Sequence, residues 1–239
     1  MLNLIFVTLF PSYFKEYFKI SLAKKAIKEK IISFQTYNIR DYSFNGKSDD
    51  YPYGGGRGML IKIEPLVKTL SAIKEKYENL YIILLSPQGK TFEQKDVERL
   101  VKKENIVFIC GHYEGFDQRI NNYVDEQISI GNFITMGGEL PSLVISESLI
   151  RAIPNFIHPE SYQNESFSES MFDYDTYTRP DEFDGLKIPD ILKSGNHKEI
   201  ENWRKENSIE KEKNNLEKEK NKKNLPNLNN WRLSNFIKM

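Results

Sequence analysis

Two runs of the chain decide the fold: Leu80-Tyr81-Ile82-Ile83-Leu84-Leu85-Ser86-Pro87-Gln88-Gly89 and Ile106-Val107-Phe108-Ile109-Cys110-Gly111-His112-Tyr113-Glu114-Gly115. Each is a short apolar stretch that stops at a loop carrying glycine or proline. Strand-like runs of this kind, alternating with helix-like segments, are the sequence signature of a sheet with crossover helices. Residues 92–102 between them have helical spacing, so the segment reads as strand, helix, strand, with both following loops on one edge of the sheet. Working outward, residues 4–9 and 31–39 read as strands around one helical stretch at 12–30, and Leu66, Leu70 and Ile73 mark a helix over 65–76. Residues 116–123 read as a helix and 128–136 as a strand interrupted by Gly131, while Pro141 sits in the first turn of a helix that runs to about 153. The fold class expected is α/β. Periodicity then lapses over 154–182, where Pro154, Pro159 and Pro180 punctuate the chain, and a small, mostly helical unit follows from about Phe183.

The 239 residues hold 34 Lys+Arg and 34 Asp+Glu, with 39% hydrophobic and 13% aromatic residues, enough to build a core and too many for a wholly disordered chain. The lone Cys110 makes no intramolecular disulfide and no multi-cysteine zinc site, which points to a reducing compartment. The apolar opening at 2–10 lacks a basic flank and a cleavage site and reads as a first strand, not a leader; no stretch approaches the length of a membrane span. By composition alone the expectation is a cytoplasmic small-molecule enzyme, since balanced charge leaves no basic footprint for nucleic acid. The balance is uneven along the chain, however. Residues 198–224 are mostly Lys, Glu and Asn, with Ile200, Trp203, Ile209 and Leu216 as the only large apolar groups, so this tail reads as a solvated helix or partly disordered segment, or else as a basic arm for a polyanion.

Four loops concentrate the glycines. Tyr53-Gly54-Gly55-Gly56-Arg57-Gly58 is one; the others follow expected strands, at 86–89, at 111–115 and from Ile130 to Pro141 with Gly137-Gly138 inside. Ligands of open α/β sheets bind outside the carboxyl ends of strands, so three such loops together suggest a pocket, the alternative being ordinary turn chemistry. Phosphate motifs do not complete: position 84 is Leu where a P-loop needs Gly, and residue 59 is Met where a dinucleotide fingerprint needs Gly. His112-Tyr113-Glu114 matches half of a zinc deaminase signature with no Cys pair to finish it, and the histidines at 112, 158 and 197 stand far apart, so no metal site is expected.

Six motifs occur here in one order: Tyr53-Gly54-Gly55-Gly56-x-Gly58-Met59, Leu85-Ser86-Pro87-Gln88-Gly89, Cys110-Gly111-x-Tyr113-Glu114-Gly115, Ser129-Ile130-Gly131-x-Phe133, Gly137-Gly138-Glu139-Leu140-Pro141 and Tyr177-Thr178-Arg179-Pro180. On these the chain closely resembles the bacterial tRNA (guanine-N1)-methyltransferases, members of the knotted SPOUT superfamily that modify guanosine 37 beside the anticodon. The resemblance runs from Phe10-Pro11 to about Trp203-Arg204. It implies a SPOUT-type sheet with a trefoil knot in an S-adenosylmethionine-binding domain at 1–158, a linker at 159–182 carrying the catalytic carboxylate, and a small helical tRNA-binding domain at 183–239. It further implies a cytoplasmic homodimer with active sites between subunits. The cofactor would lie against Ser86, Pro87, Gly111, Tyr113, Glu114, Ile130, Gly131, Asn132, Phe133, Ile134, Thr135, Gly137 and Pro141, with Glu114 attracting the positive charge of its methionine moiety.

Guanine N1 carries a proton at neutral pH, so a carboxylate within reach is the natural base, worth roughly 10²–10⁴-fold in rate. By the same resemblance that base falls on Glu165, within Asn164-Glu165-Ser166-Phe167, and an arginine that balances charge on the purine falls on Arg151. The family has aspartate where this chain has Glu165; the extra methylene shifts the oxygens by about one bond length, and a misplacement of that order costs about 10²-fold unless the backbone compensates. Asp173 and Glu169 are the rival bases. His112 stands where arginine is frequent in the family, Arg57 where proline is, and Thr135 where a bulky apolar residue is; the Lys/Glu/Asn tail replaces an arginine-rich helix. A dependence on loosely bound Mg²⁺ is implied by the family, with no dedicated protein cage. Two other readings stand beside this one: a metabolite-transforming enzyme on an open α/β sheet, and a non-catalytic RNA-binding relative.

Overall fold

The computed structural model describes residues 1–154, 156–157 and 173–223. The chain divides into two compact units, Met1–Pro159 and Glu160–Met239. In the first, five parallel strands form one sheet: β1 (Leu2–Thr8), β2 (Ile32–Asn38), β5 (Leu80–Thr91), β6 (Asn105–Ile109) and β7 (Glu126–Ser129), in the order β2-β1-β6-β5-β7. A short antiparallel pair, β3 (Asp49–Asp50) with β4 (Leu60–Ile61), stands apart from it.

Both faces of the sheet are buried, as the unbroken apolar runs require. Leu4, Phe6, Ile83, Leu85, Ile106 and Phe108 point to one side, where they meet α1 (Ser12–Tyr17), α2 (Ser21–Lys28), α4 (Gln94–Leu100) and α5 (Glu139–Arg151). Ile5, Val7, Ile82, Leu84, Val107 and Ile109 point to the other, against Leu66, Leu70 and Ile73 of α3 (Ile63–Lys74). The alternation of consecutive residues between two cores is the pleat of the strands at work. At the centre, the Phe6 ring stacks on Phe14 at 4.0 Å and on Phe108 at 5.6 Å.

Three elements differ from the sequence reading. The helix expected over 12–30 is two helices, because five residues separate Phe18 from Ala23 and an unbroken helix would turn the alanine about 140° off the Phe14–Phe18 stripe. The chain breaks at Ile20 (φ −116°, ψ 156°), which lets Phe14, Phe18, Ala23 and Ala26 all face the core. The helix expected over 116–123 is a 3-10 segment, Gln118–Tyr123, begun by the Asp117 side chain, which accepts from the Arg119 amide at 3.0 Å. The strand expected over 128–136 is β7 alone, and the rest is a loop that folds back on Ser129.

The second unit holds a hairpin of β8 (Glu182–Phe183) and β9 (Leu186–Lys187), a 3-10 turn at Asp190–Lys193 and one long helix, α6 (His197–Lys223). The charged tail is therefore helical, as one of its readings expected. Asn207 and Lys211 on α6 fasten residues 173–175 to it: Asn207 accepts from the Asp175 amide at 2.6 Å, and Lys211 bonds the Asp175 carboxylate at 2.5 Å and the Asp173 carbonyl at 3.0 Å. The Arg204 guanidinium lies 4.8 Å from the Tyr174 ring. No helix of the described residues is long and apolar enough to cross a membrane.

Candidate active site

The 86–89 excursion of β5 and the loops after β6 and β7 line one cleft of about 510 Å³, within the range of small-molecule sites. Leu85 and Lys90 both stand opposite Ile128, so residues 86–89 leave the ladder and return to the same point. Gly89 makes this possible: a Cβ there would lie 2.6 Å from the main-chain carbon of Gln127 and the nitrogen of Ile128. The second loop begins at Cys110, whose amide donates to Val7 at 2.9 Å, and turns with Tyr113 at φ 60° and a Gly115 N–H bond to His112 at 3.1 Å. A bulky residue in left-handed backbone is costly and persists only where the surrounding structure imposes it. The third loop starts with the Ser129 hydroxyl bonded to both main-chain groups of Gly131 and ends with the Gly138 N–H on the Gly111 carbonyl at 2.9 Å, where α5 starts.

The glycine-rich loop at 54–58 does not line the cleft but packs against the second loop at Glu114. The Glu114 amide donates to the Met59 carbonyl at 3.1 Å, and Gly58 (φ 79°) passes so close to the Glu114 side chain that a Cβ would lie 2.8 Å from its Oε1. Behind the cleft lies a polar support that the sequence reading did not anticipate. The Glu139 carboxylate is 2% exposed; the Thr8 hydroxyl donates to it at 2.6 Å, and His112 Nε2 stands 3.5 Å away. His112 also packs on Phe10, ring centroids 4.6 Å apart, so one buried carboxylate ties the ends of β1 and β6 to the start of α5. Burial pushes the Cys110 thiol well above its ordinary value, helped by the charge of Glu139 and opposed by the Ser142 hydrogen bond; the sulfur is a packed thiol and no nucleophile.

Of the residues expected at the cofactor, Ser86, Pro87, Gly111, Tyr113, Glu114, Ile130, Phe133, Ile134, Thr135, Gly137 and Pro141 line the cleft. Gly131 and Asn132 do not: the Phe133 ring covers Gly131, and a Cβ there would meet it at 2.7 Å. Gln88, which belongs to the 85–89 motif but is not among the residues expected at the cofactor, lines it as well, as do Phe116, Gln118, Asn121 and Gln127, which no motif announces. Among the lining residues Glu114 is the single carboxylate, and there is no lysine or arginine. Such a wall suits an apolar ligand carrying positive charge and is ill suited to phosphates, in line with the incomplete phosphate motifs.

The other expected groups lie elsewhere. Arg151 is in the last turn of α5, about 15 Å along the helix from Pro141 at the cleft, and does not line it. Glu165 and Glu169 fall outside the described residues. Asp173 lies in the second unit, its carbonyl bonded by Lys211. Among the described residues no group of three or more His, Cys, Asp or Glu is placed to hold a metal.

Comparison with known proteins adds to this geometry. The family model described as tRNA (Guanine-1)-methyltransferase TrmD matches residues 2–220. A tRNA (guanine-N(1)-)-methyltransferase of Mycoplasmopsis pulmonis is 48% identical over 214 residues, covering 88% of this chain and 93% of the relative. One from Macrococcus caseolyticus is 45% identical, covering 84% of each. The crystal structure of tRNA (m1G37) methyltransferase from Aquifex aeolicus is similar with a TM-score of 0.76 and 34% identity, covering 91% of this chain and 92% of that one.

Proposed function

The chain belongs to the tRNA (guanine-1)-methyltransferase family, and on that premise we propose that it transfers a methyl group from S-adenosylmethionine to N1 of guanosine 37 in tRNA. The observation that carries the reading is the cleft itself: main-chain walls from three glycine-bearing loops, one carboxylate and no cation. S-adenosylmethionine fits that description, being an apolar and hydrogen-bonding purine joined to a cationic sulfonium, and it supplies the methyl group when bound.

The chain's own groups then have separate tasks. Glu114 faces the positive charge of the donor, and free peptide groups of the 86–89, 110–117 and 130–138 loops read the edge of the purine. Much of the rate in such a displacement comes from holding donor and acceptor in line. Glu165 takes the N1 proton of the target guanine, and Arg151 balances the negative charge left on the ring. Mg²⁺ beside the purine oxygen would add to that stabilisation, held by the nucleic acid and solvent more than by protein.

Arg151 stands far from the cleft of its own chain, which favours a homodimer whose active sites lie between subunits. Exposed Ile134, Met136, Leu140 and Val144, along the third loop and α5, offer an apolar face for a second copy. A trefoil knot of the SPOUT type is proposed for the 1–158 domain; the hydrogen bond of the Gly138 N–H to the Gly111 carbonyl, which brings the third loop against the second, supports that reading. Within the 159–182 linker and 183–239 domain, Arg179 and the lysines of α6 are the tRNA contacts proposed, and the location proposed is the cytoplasm.

The test is incubation of the full chain with methyl-labelled S-adenosylmethionine and unmodified tRNA transcripts, followed by mapping of the label. Label on N1 of guanosine 37 is expected. Tight cofactor binding without transfer would favour a binding protein, and binding of NAD or ATP in its place would favour a metabolite enzyme. In single turnover Glu165→Ala should be strongly slowed with cofactor affinity kept; normal transfer by Glu165→Ala with loss in Asp173→Ala would move the base to Asp173.

A further inference from the structure

We propose that Asp96 and Lys90 are positioning residues that hold the 86–89 excursion in its ligand-binding shape. This rests on the reading of the cleft as the S-adenosylmethionine site. Because Leu85 and Lys90 share Ile128 as partner, the sheet ladder fixes the two ends of the excursion and none of the residues within it. The return limb is fixed from outside the sheet. Lys90 Nζ donates to Asp96 Oδ1 at 2.7 Å, and the Asp96 side chain is only 3% exposed. The same carboxylate accepts from Arg99 Nη2 at 3.0 Å and from the Glu93 amide at 3.1 Å.

Arg99 extends the network to the entry limb. Its guanidinium grips both carboxylate oxygens of Glu126, at the start of β7, with distances of 3.0 and 3.1 Å, and donates to the Tyr81 hydroxyl of β5 at 2.9 Å. One buried carboxylate is thus linked to Tyr81 before the excursion and to Lys90 after it. A helix cap at Asp96 needs only the Glu93 amide, so the two cations are additional to capping. Although burial pushes the Asp96 carboxyl up, hydrogen bonds from Lys90 and Arg99 outweigh it and hold the group below its ordinary value. Lys90, Asp96, Arg99 and Glu126 do not line the cleft, so any effect on a ligand there passes through the loop.

The expected size follows from population arithmetic: if freeing the return limb leaves the competent shape populated about a tenth of the time, the apparent Kd rises about ten-fold. Calorimetric titration of the full chain with S-adenosylmethionine should show that rise for Lys90→Met and for Asp96→Asn. Lys90→Arg, which keeps the charge, should bind as the parent does. Turnover at saturating cofactor and tRNA should stay within about two-fold, since the loss is one of ground-state binding. Amide exchange should quicken at 86–89 in Lys90→Met. Lys90 is half exposed and Arg99 still pairs with Asp96, so Lys90→Met should keep its fold, as circular dichroism would check; parental affinity in it, or failure of Lys90→Arg to rescue, or an equal loss of saturated turnover, would overturn the positioning role. A parent chain that binds no S-adenosylmethionine overturns the reading of the cleft and the proposal with it.

Discussion

Gly138→Ala is the sharpest probe of how the cleft is built. Gly138 precedes α5 with φ −81° and ψ −5°, a conformation alanine adopts freely, so the substitution tests space and not backbone freedom. In open surroundings it would stabilise by about 0.4–1 kcal/mol, by restricting the unfolded chain. Here the new Cβ would stand 2.7 Å from Cys110 Cα and 2.9 Å from the Gly111 nitrogen. Non-bonded carbons rest at about 3.5–4.0 Å, so α5 must retreat by about 1 Å. The other side cannot give way, because Cys110 is pinned to β1 through the 2.9 Å bond of its amide to Val7. Overpacking of this kind costs about 1–3 kcal/mol. With the entropy gain subtracted, the middle of the two ranges leaves about 1.3 kcal/mol, and Tm falls by about 3–5 °C for a chain of this size. The same retreat lengthens the Gly138–Gly111 hydrogen bond and parts two walls of the cleft; a loss of about 1.4 kcal/mol in binding is a ten-fold rise in Kd. Thermal unfolding followed by circular dichroism and calorimetric titration with S-adenosylmethionine measure both effects. An unchanged or higher Tm together with unchanged affinity would refute the argument that main chain packs on main chain here.

Other perturbations follow from the same geometry. Thr8→Val removes the donor to buried Glu139 and the acceptor of the Phe10 amide at 2.9 Å, so urea denaturation should show a loss of about 2–3 kcal/mol, most of it recovered in Thr8→Ser. Gly58→Ala combines left-handed backbone (φ 79°) with crowding of Glu114; it should cost about 1–2 kcal/mol of stability and weaken cofactor binding, and intact binding would show that the Glu114 carboxylate is not held from this side. The Asp96 carboxyl lies below its ordinary 3.8 in the fold, so its contribution is complete above that value and is lost as pH falls through the folded one. Below about pH 4 the urea midpoint of the parent should therefore drop more steeply than that of Asp96→Asn, and parallel curves would contradict the assignment.

The parallel sheet was legible because Ile82 to Leu85 and Ile106 to Ile109 are apolar at every position, and only a strand buried on both faces needs that. The break at Ile20 was not, since it follows from where Ala23 must point once Phe18 is docked, which depends on the distant Phe6 and Phe34. Cleft residues were legible where a glycine or proline interrupts an apolar run. Gln118 and Gln127 line the cleft only because separate segments converge, and nothing local distinguishes them from surface glutamines. Gly131 shows the opposite limit: it belongs to a motif yet lies under Phe133. Balanced charge misled outright. It pointed away from nucleic acid, whereas the family acts on tRNA, because a net sum carries no information on where along the chain the positive groups sit.

Gly89, Gly111 and Gly138 admit main chain or a ring edge into the space where a side chain would begin, at separations of 2.6–2.9 Å. The shape of the cleft is consequently written in peptide groups. An inhibitor that hydrogen-bonds to those peptides would leave the protein few routes to resistance, because replacing a flanking glycine parts the cleft walls for every ligand bound there and lowers stability as well. Escape would be confined to side chains that face the cleft, such as Tyr113 and Glu114, and in the function proposed those are the ones S-adenosylmethionine uses as well.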